Sequence, residues 1–234
     1  MVGIGLWIRL GILETPIFQQ VIADERVARA PVVEVLRRQL REVILTAFAR
    51  MGQMSPIFVY VVFIFSYGTQ VVHVSRDFLL VVLLISSFFS FFMIPFSGYL
   101  SDRLGRKRVY IFGAAATWLF AFAYYSLFNT AIPGLIIVAV LVGFFFHDLM
   151  WGPLAALTAE CFTPRLRYSG ASIGFQLAAV FAGGPAPFIA TALLAATGSG
   201  QVIALYIFGC AIVSVAATAA LPSNRDRDFA REHI

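Results

Sequence analysis

Apolar runs recur along this chain, each ended by a short polar or charged break. A helix needs about 20 mostly apolar residues to cross a hydrocarbon core. Six stretches are that long: Val43 to Tyr67, Phe78 to Leu100, Val109 to Phe128, Gly134 to Ala159, Tyr168 to Ala196 and Val202 to Leu221. Barrel strands would alternate with period two and these runs do not, so the pattern predicts an all-α membrane protein with six transmembrane helices. The breaks fall into two kinds. Gly68 to Asp77 and Asn129 to Pro133 are polar and nearly uncharged, whereas Gly98 to Arg108 and Glu160 to Arg167 concentrate cations.

That contrast sets the sidedness. Cytoplasmic loops carry an excess of Lys and Arg. Putting the Gly98 to Arg108 loop inside also puts inside every cation of the seventeen except Arg76, which falls outside, and Arg50, which lies within a span. Both termini are then cytoplasmic. Six spans divide as three plus three, and an odd number of crossings inverts the second triplet relative to the first. Prolines within spans, Pro56, Pro95, Pro153, Pro185 and Pro187, suit a bundle whose helices bend where freed carbonyls find other partners.

Composition narrows the function classes. The chain has 234 residues, 60% hydrophobic and 12% charged, with a mean hydropathy of +0.88, far from the quarter-charged composition of soluble domains. A net charge of +5 reflects inner-side cations and argues against a nucleic-acid partner. Cys161 and Cys210 lack metal-ligand spacing. No phosphate-cradling glycine loop, His/Cys metal cluster or nucleophile motif is present, so neither an enzyme, nor a metal site, nor any cofactor beyond a coupling proton is expected.

The ends divide the chain further. Residues 1–10 read as the last turns of a truncated transmembrane helix, residues 11–42 as a cytoplasmic linker in which Val32 to Leu40 forms a short surface helix, residues 43–221 as the six-helix domain and residues 222–234 as a cytoplasmic tail. Met1 to Ile8 has neither a basic start nor a small-residue cleavage site, which is unlike a secretory signal.

Four segments carry a family resemblance. Gly98, Asp102, Arg103, Gly105, Arg106, Lys107 and Arg108 resemble the signature G-x-x-x-D-R-x-G-R-K-R loop of the major facilitator superfamily. Ala159-Glu160-Cys161-Phe162-Thr163-Pro164-Arg165-Leu166-Arg167-Tyr168-Ser169-Gly170-Ala171-Ser172 resembles the A-E-x-F-P-T-x-x-R-Y-S-G-A-S stretch of its metabolite:proton symporter branch. Arg9 to Phe18 is similar to that branch's R-x-x-L-x-E-T-P-x-F, and His147-Asp148-Leu149-Met150-Trp151-Gly152-Pro153 to its tenth-helix H-x-x-M-Y-G-P. The resemblance implies half of a major-facilitator fold: the end of helix six and helices seven to twelve, built as two inverted three-helix repeats, with the N-terminal six-helix half as a missing partner. It also implies a gating role for the first loop, with Gly98, Asp102, Arg103, Gly105 and Arg106 opposed by Glu160 and Arg167.

Several polar residues stand out against this background. Arg50, Gln53 and Tyr60 share a helical face. A cation within a span costs about 3 kcal/mol on insertion scales, so Arg50 faces a cavity, a carboxylate or a substrate anion, or else snorkels to the inner surface. Members of the branch often carry Glu near Gln53, so one acid fewer is available here. His147 and Asp148 fall near the middle of their helix. Histidine changes charge near neutral pH, which makes the pair a candidate for proton coupling, the alternative being a structural hydrogen bond between helices. Trp151 either lines the pathway or fills core. Gln176 and the Gly183-Gly184-Pro185 sequence either expose polar groups to a cavity, as broken helices do, or mark a packing kink.

The expected function is a proton-coupled symporter of the cell membrane that takes up a small organic acid or zwitterionic metabolite by alternating access. Arg50, Gln53, Tyr60, Trp151 and Gln176 would bind substrate, and His147 and Asp148 would couple protons. A truncated remnant or assembly partner that does not transport, and an efflux pump of the same superfamily, are the alternatives.

Overall fold

The computed structural model describes residues 31–163 and 165–222. The expected helix end at residues 1–10, the motif at Arg9 to Phe18, the linker up to residue 30, Pro164 and the tail from residue 223 lie outside the described residues.

Six helices are long and apolar enough to cross a membrane: Leu40–Gln70, Arg76–Leu104, Arg106–Phe128, Pro133–Ala159, Arg167–Thr197 and Gly200–Ala220. A separate helix, Pro31–Arg38, precedes them, close to the expected surface helix. Three of the spans begin where the sequence supplies a start signal. The Ser75 side chain accepts from the Phe78 amide at 3.2 Å at the head of the second span. Pro133 opens the fourth, where a missing N–H costs nothing. Ser199 accepts from the Gln201 amide at 3.3 Å ahead of the sixth.

The helices overrun their apolar cores, and this corrects the expected eleven-residue loop at Gly98 to Arg108. The second span stays helical through Leu104 and the third starts at Arg106, leaving Gly105 alone between them at φ 99°. Beyond the hydrocarbon a helix end is simply solvated, and nothing in Ser-Asp-Arg-Leu stops it until a left-handed φ is demanded, which glycine meets without a Cβ clash.

Two π-helical stretches interrupt the spans. Val59–Phe63 follows Pro56 in the first span, and Ala179–Gly183 leads to Pro185 in the fifth. The Gly183-Gly184-Pro185 stretch is therefore a wide turn that stays hydrogen-bonded: the Gly184 amide donates to the Ala179 carbonyl at 2.8 Å.

Helix pairing has the symmetry of a repeat. The third span packs on the fourth as the sixth packs on the first, and the second packs on the fourth as the fifth packs on the first. The third and sixth spans meet each other, as do the first and fourth. Exchanging the two triplets leaves this scheme unchanged, as expected of two three-helix repeats.

The tightest crossing joins the second and fourth spans. A Cβ on Gly152 would stand 2.6 Å from the Gly98 backbone nitrogen and 2.7 Å from the Ile94 carbonyl oxygen, while one on Gly98 would meet nothing nearer than 3.9 Å. The demand for glycine at this crossing falls on Gly152, not on Gly98. The main apolar core lies toward the end where residues 71–75 and 129–132 connect the spans, around Tyr60, Phe63, Tyr67, Tyr124, Tyr125 and Phe128, and Tyr67 donates to Asn129 Oδ1 at 2.6 Å across the first and third spans.

Candidate functional site

Two polar regions carry the residues singled out by the sequence. The first lies midway along the first and fourth spans. Gln53 and His147, 94 positions apart, meet with Gln53 Nε2 at 2.8 Å from His147 Nε2. On its other side His147 Nδ1 lies 3.1 Å from Asp148 Oδ1. All three residues are buried, Gln53 completely and Asp148 at 1% exposure. Two acceptors here, Gln53 Oε1 and Asp148 Oδ2, are buried without a hydrogen-bond partner among the described residues. The backbone beneath is fixed from the second span, where Ser97 Oγ donates to the Asp148 carbonyl at 2.8 Å.

Arg50 lies one turn from Gln53 and is buried at 5% exposure. No ion pair joins it to a carboxylate among the described residues; its guanidinium carbon sits 3.4 Å from the Phe175 ring centroid and 5.4 Å from that of Trp151. A desolvated cation over two aromatic faces gains about 2 kcal/mol or more from each good geometry, which offsets much of the insertion cost. Its Nε has no hydrogen-bond partner among the described residues. Trp151 is 38% exposed, with its ring 5.9 Å from that of His147, so it borders this region and does not fill core.

The remaining expected binding residues lie elsewhere. Tyr60 stacks on Tyr124 at 4.8 Å within the main apolar core, and its hydroxyl is a buried group without a partner among the described residues. Gln176 is exposed, and its neighbour Phe175 is the residue that reaches Arg50. Phe175 carried no signal of its own among the chain's 24 phenylalanines. A second feature unseen in the sequence is the junction under Arg50. Tyr110 and Ser214, from the third and sixth spans, both donate to the Ala49 carbonyl, and Gly52 packs on Ser214.

The second region is the charged end of the bundle, the inner face as its cations predict. Arg106 bridges Asp102, at 2.9 Å from Nη2 and 3.2 Å from Nε, to Glu160 at the end of the fourth span. The arginine thus ties the second and fourth helix ends together. Lys107 Nζ donates to the Ala219 and Leu221 carbonyls at 3.0 and 2.6 Å, satisfying the C-terminus of the sixth span. Arg103 lies over the Tyr99 ring at 4.5 Å, and Arg167 opens the fifth span. A pocket of about 400 Å³ opens among Ser101, Asp102, Arg106, Lys107, Glu160 and Pro222. Beside it, burial pushes the Cys161 thiol up to about 12, against a lowering by Lys107.

These two regions sit in a chain that matches known proteins nearly end to end. The Major Facilitator Superfamily matches residues 4–187 and 43–230. The shikimate transporter of Escherichia coli (strain K12) is 31% identical over 226 residues, covering 94% of this chain and 52% of that protein. The proline/betaine transporter of the same strain is 24% identical over 221 residues, 91% of this chain and 44% of the relative. The ectoine/proline transporter ProP of Corynebacterium glutamicum is 36% identical over 129 residues, 53% of this chain and 25% of the relative. No solved structure matches significantly. The chain spans about half the length of the curated relatives it matches. With six membrane-spanning helices, paired as two triplets, and a family match over most of its length, this multi-pass membrane protein belongs to the Major Facilitator Superfamily, a family of transporters and not of enzymes.

Proposed function

We propose that the chain forms one half of a proton-coupled secondary transporter that takes up a small organic acid or zwitterionic metabolite across the plasma membrane, with both termini cytoplasmic. The observation that carries this reading is the buried Gln53–His147–Asp148 chain with Arg50 one helical turn away. A histidine–carboxylate pair removed from water is residue chemistry suited to holding and handing on a proton. A guanidinium stacked on rings, its Nε unpartnered, suits a carboxylate, which it can grip through parallel N–H bonds. The named substrates of the relatives, shikimate and proline with betaine, are carboxylates or zwitterions, which fits a cation at that position.

Alternating access would come from rocking this half against a second six-helix half, with Asp102, Arg106 and Glu160 acting as an inner gate that holds one state. The test is transport by the assembled protein, this chain together with a complementary six-helix half, in proteoliposomes. Labelled shikimate, proline and glycine betaine are offered with acid outside, and again with the pH gradient reversed. Accumulation above the equilibrium level of at least one solute, only with acid on the entry side, is the expected result. Movement that follows the reversed gradient would mean efflux, and no movement in either direction would leave the chain a non-transporting member.

A further inference from the structure

Among the described residues, the buried proton pair has one side-chain partner on another helix, Gln53, and its amide can be either donor or acceptor. We infer that Gln53 reports whether His147 Nε2 carries a proton by reversing its amide: it donates to a bare Nε2 and accepts from Nε2–H.

The assignment follows from hydrogen-bond bookkeeping at three atoms. In the arrangement observed, Gln53 Nε2 approaches His147 Nε2. An NH2 group can only donate, so His147 Nε2 is the acceptor and carries no proton. The ring proton is then on Nδ1, which faces Asp148 Oδ1 3.1 Å away.

A proton arriving at Nε2 would meet the Gln53 NH2 group, which opposes it. Rotation of the amide brings up Oε1, the acceptor that is completely buried and unpartnered in the present arrangement. A proton on Nε2 therefore requires the reversal, whereas one on Asp148 Oδ2 with the ring proton kept on Nδ1 leaves Gln53 as it is.

Nothing else packed against the pair substitutes for this group. From the first span the facing charge is Arg50, stacked on Phe175 and Trp151, with Tyr60 further out. The second span supplies Ser97, which bonds the backbone and not the Asp148 side chain. The third supplies the tyrosines Tyr110 and Tyr124, engaged with Ala49 and with Tyr60. The fifth has no charged residue between Tyr168 and Thr197. Because the first and fourth spans are counterparts in the two triplets, the reversal changes the hydrogen bond where the two repeats meet. That makes Gln53 a positioning residue through which a proton on the His147 ring reaches helix packing.

This inference rests on the proton-coupling reading, and the experiment separates the two. The full chain, labelled with nitrogen-15 at His and Gln, is placed in lipid bilayers and followed by solid-state NMR from pH 8.5 to pH 5. The signal that His147→Gln removes, among three histidines, identifies the ring, and Gln53→Met confirms the partner independently by removing only the coupling. The expected result is an unprotonated Nε2 with a nitrogen–nitrogen coupling across the Gln53 N–H bond at high pH. At low pH the coupling is lost and Nε2 carries a proton. An Nε2 that gains its proton with no coupling to Gln53 at any pH would overturn the inference alone. An Nε2 that stays unprotonated throughout would overturn the inference and remove the His147 ring, but not Asp148, from the proton-coupling reading.

Discussion

The inner charged region and the buried polar chain use similar residues in opposite ways. At the inner face Asp102, Arg106 and Glu160 are paired and partly exposed, with side-chain exposures of 62%, 31% and 37%. Between the first and fourth spans Gln53, His147 and Asp148 are buried, and two of their acceptors and the nearby Arg50 Nε lack partners. Exposed pairs are typically worth about 0–1 kcal/mol because water and salt compete with them. Buried polar groups left unmet cost about 1–3 kcal/mol each. A fold that retains the costly arrangement and not the cheap one alone is what the proposed coupling role of the buried region requires, and weak exposed pairs are what the proposed inner gate requires.

The sharpest way to break this comparison is to neutralise one acid in each region. Asp148→Asn should abolish proton-driven accumulation, while Asp102→Asn should leave accumulation in place and change its rate, both read by solute uptake into proteoliposomes. If Asp102→Asn abolished it too, the two regions would share one function.

Between the two regions lies the crossing that holds the second and fourth spans together. Gly152→Val should destabilise the bundle by about 1–3 kcal/mol through overpacking, read as a lower midpoint of thermal unfolding in detergent. An unchanged midpoint would show that the helices part without consequence. Smaller still is the latch itself. A double-mutant cycle on Arg106→Ala and Glu160→Ala should give a coupling of about 0.2–1 kcal/mol that shrinks as salt rises; a coupling insensitive to salt would make the inner face more like the buried region than proposed.

The smallest effect concerns Cys161, whose thiol burial pushes up from about 9 to about 12. The folded state then holds a proton that the unfolded state releases, so stability from this group is lost as pH rises from about 9 toward 12. Maleimide, which needs the thiolate, should leave Cys161 unlabelled at pH 8 in the intact protein and label it after unfolding. Prompt labelling of the native protein would show the inner end to be more open than its packing implies.

Much of this architecture is legible in the chain because hydrocarbon imposes it. The spans follow from apolar length alone, and the Arg106–Glu160 bridge was foreseeable from a cation and an acid on adjacent inner ends. Helix ends were less legible, since Ser101 to Leu104 is charged enough to leave the membrane yet still helical. The site was legible in its members but not in its contacts. Gln53 and His147 were both singled out, but their meeting depends on how the first and fourth spans cross, which no local pattern carries. Gln176 lies away from Arg50 through helical geometry: one residue is a turn of about 100°, and Phe175 is the neighbour that reaches the guanidinium while Gln176 is exposed. The π-helical stretches have no hydrophobic period that would announce them.

The central claim is that the buried pair carries the coupled proton. It is tested most directly by adding substrate to weakly buffered proteoliposomes containing the assembled transporter and recording external pH. The account predicts alkalinisation in step with uptake for the unaltered protein, and substrate exchange without any pH change for Asp148→Asn. Alkalinisation of equal size per solute in Asp148→Asn would contradict it.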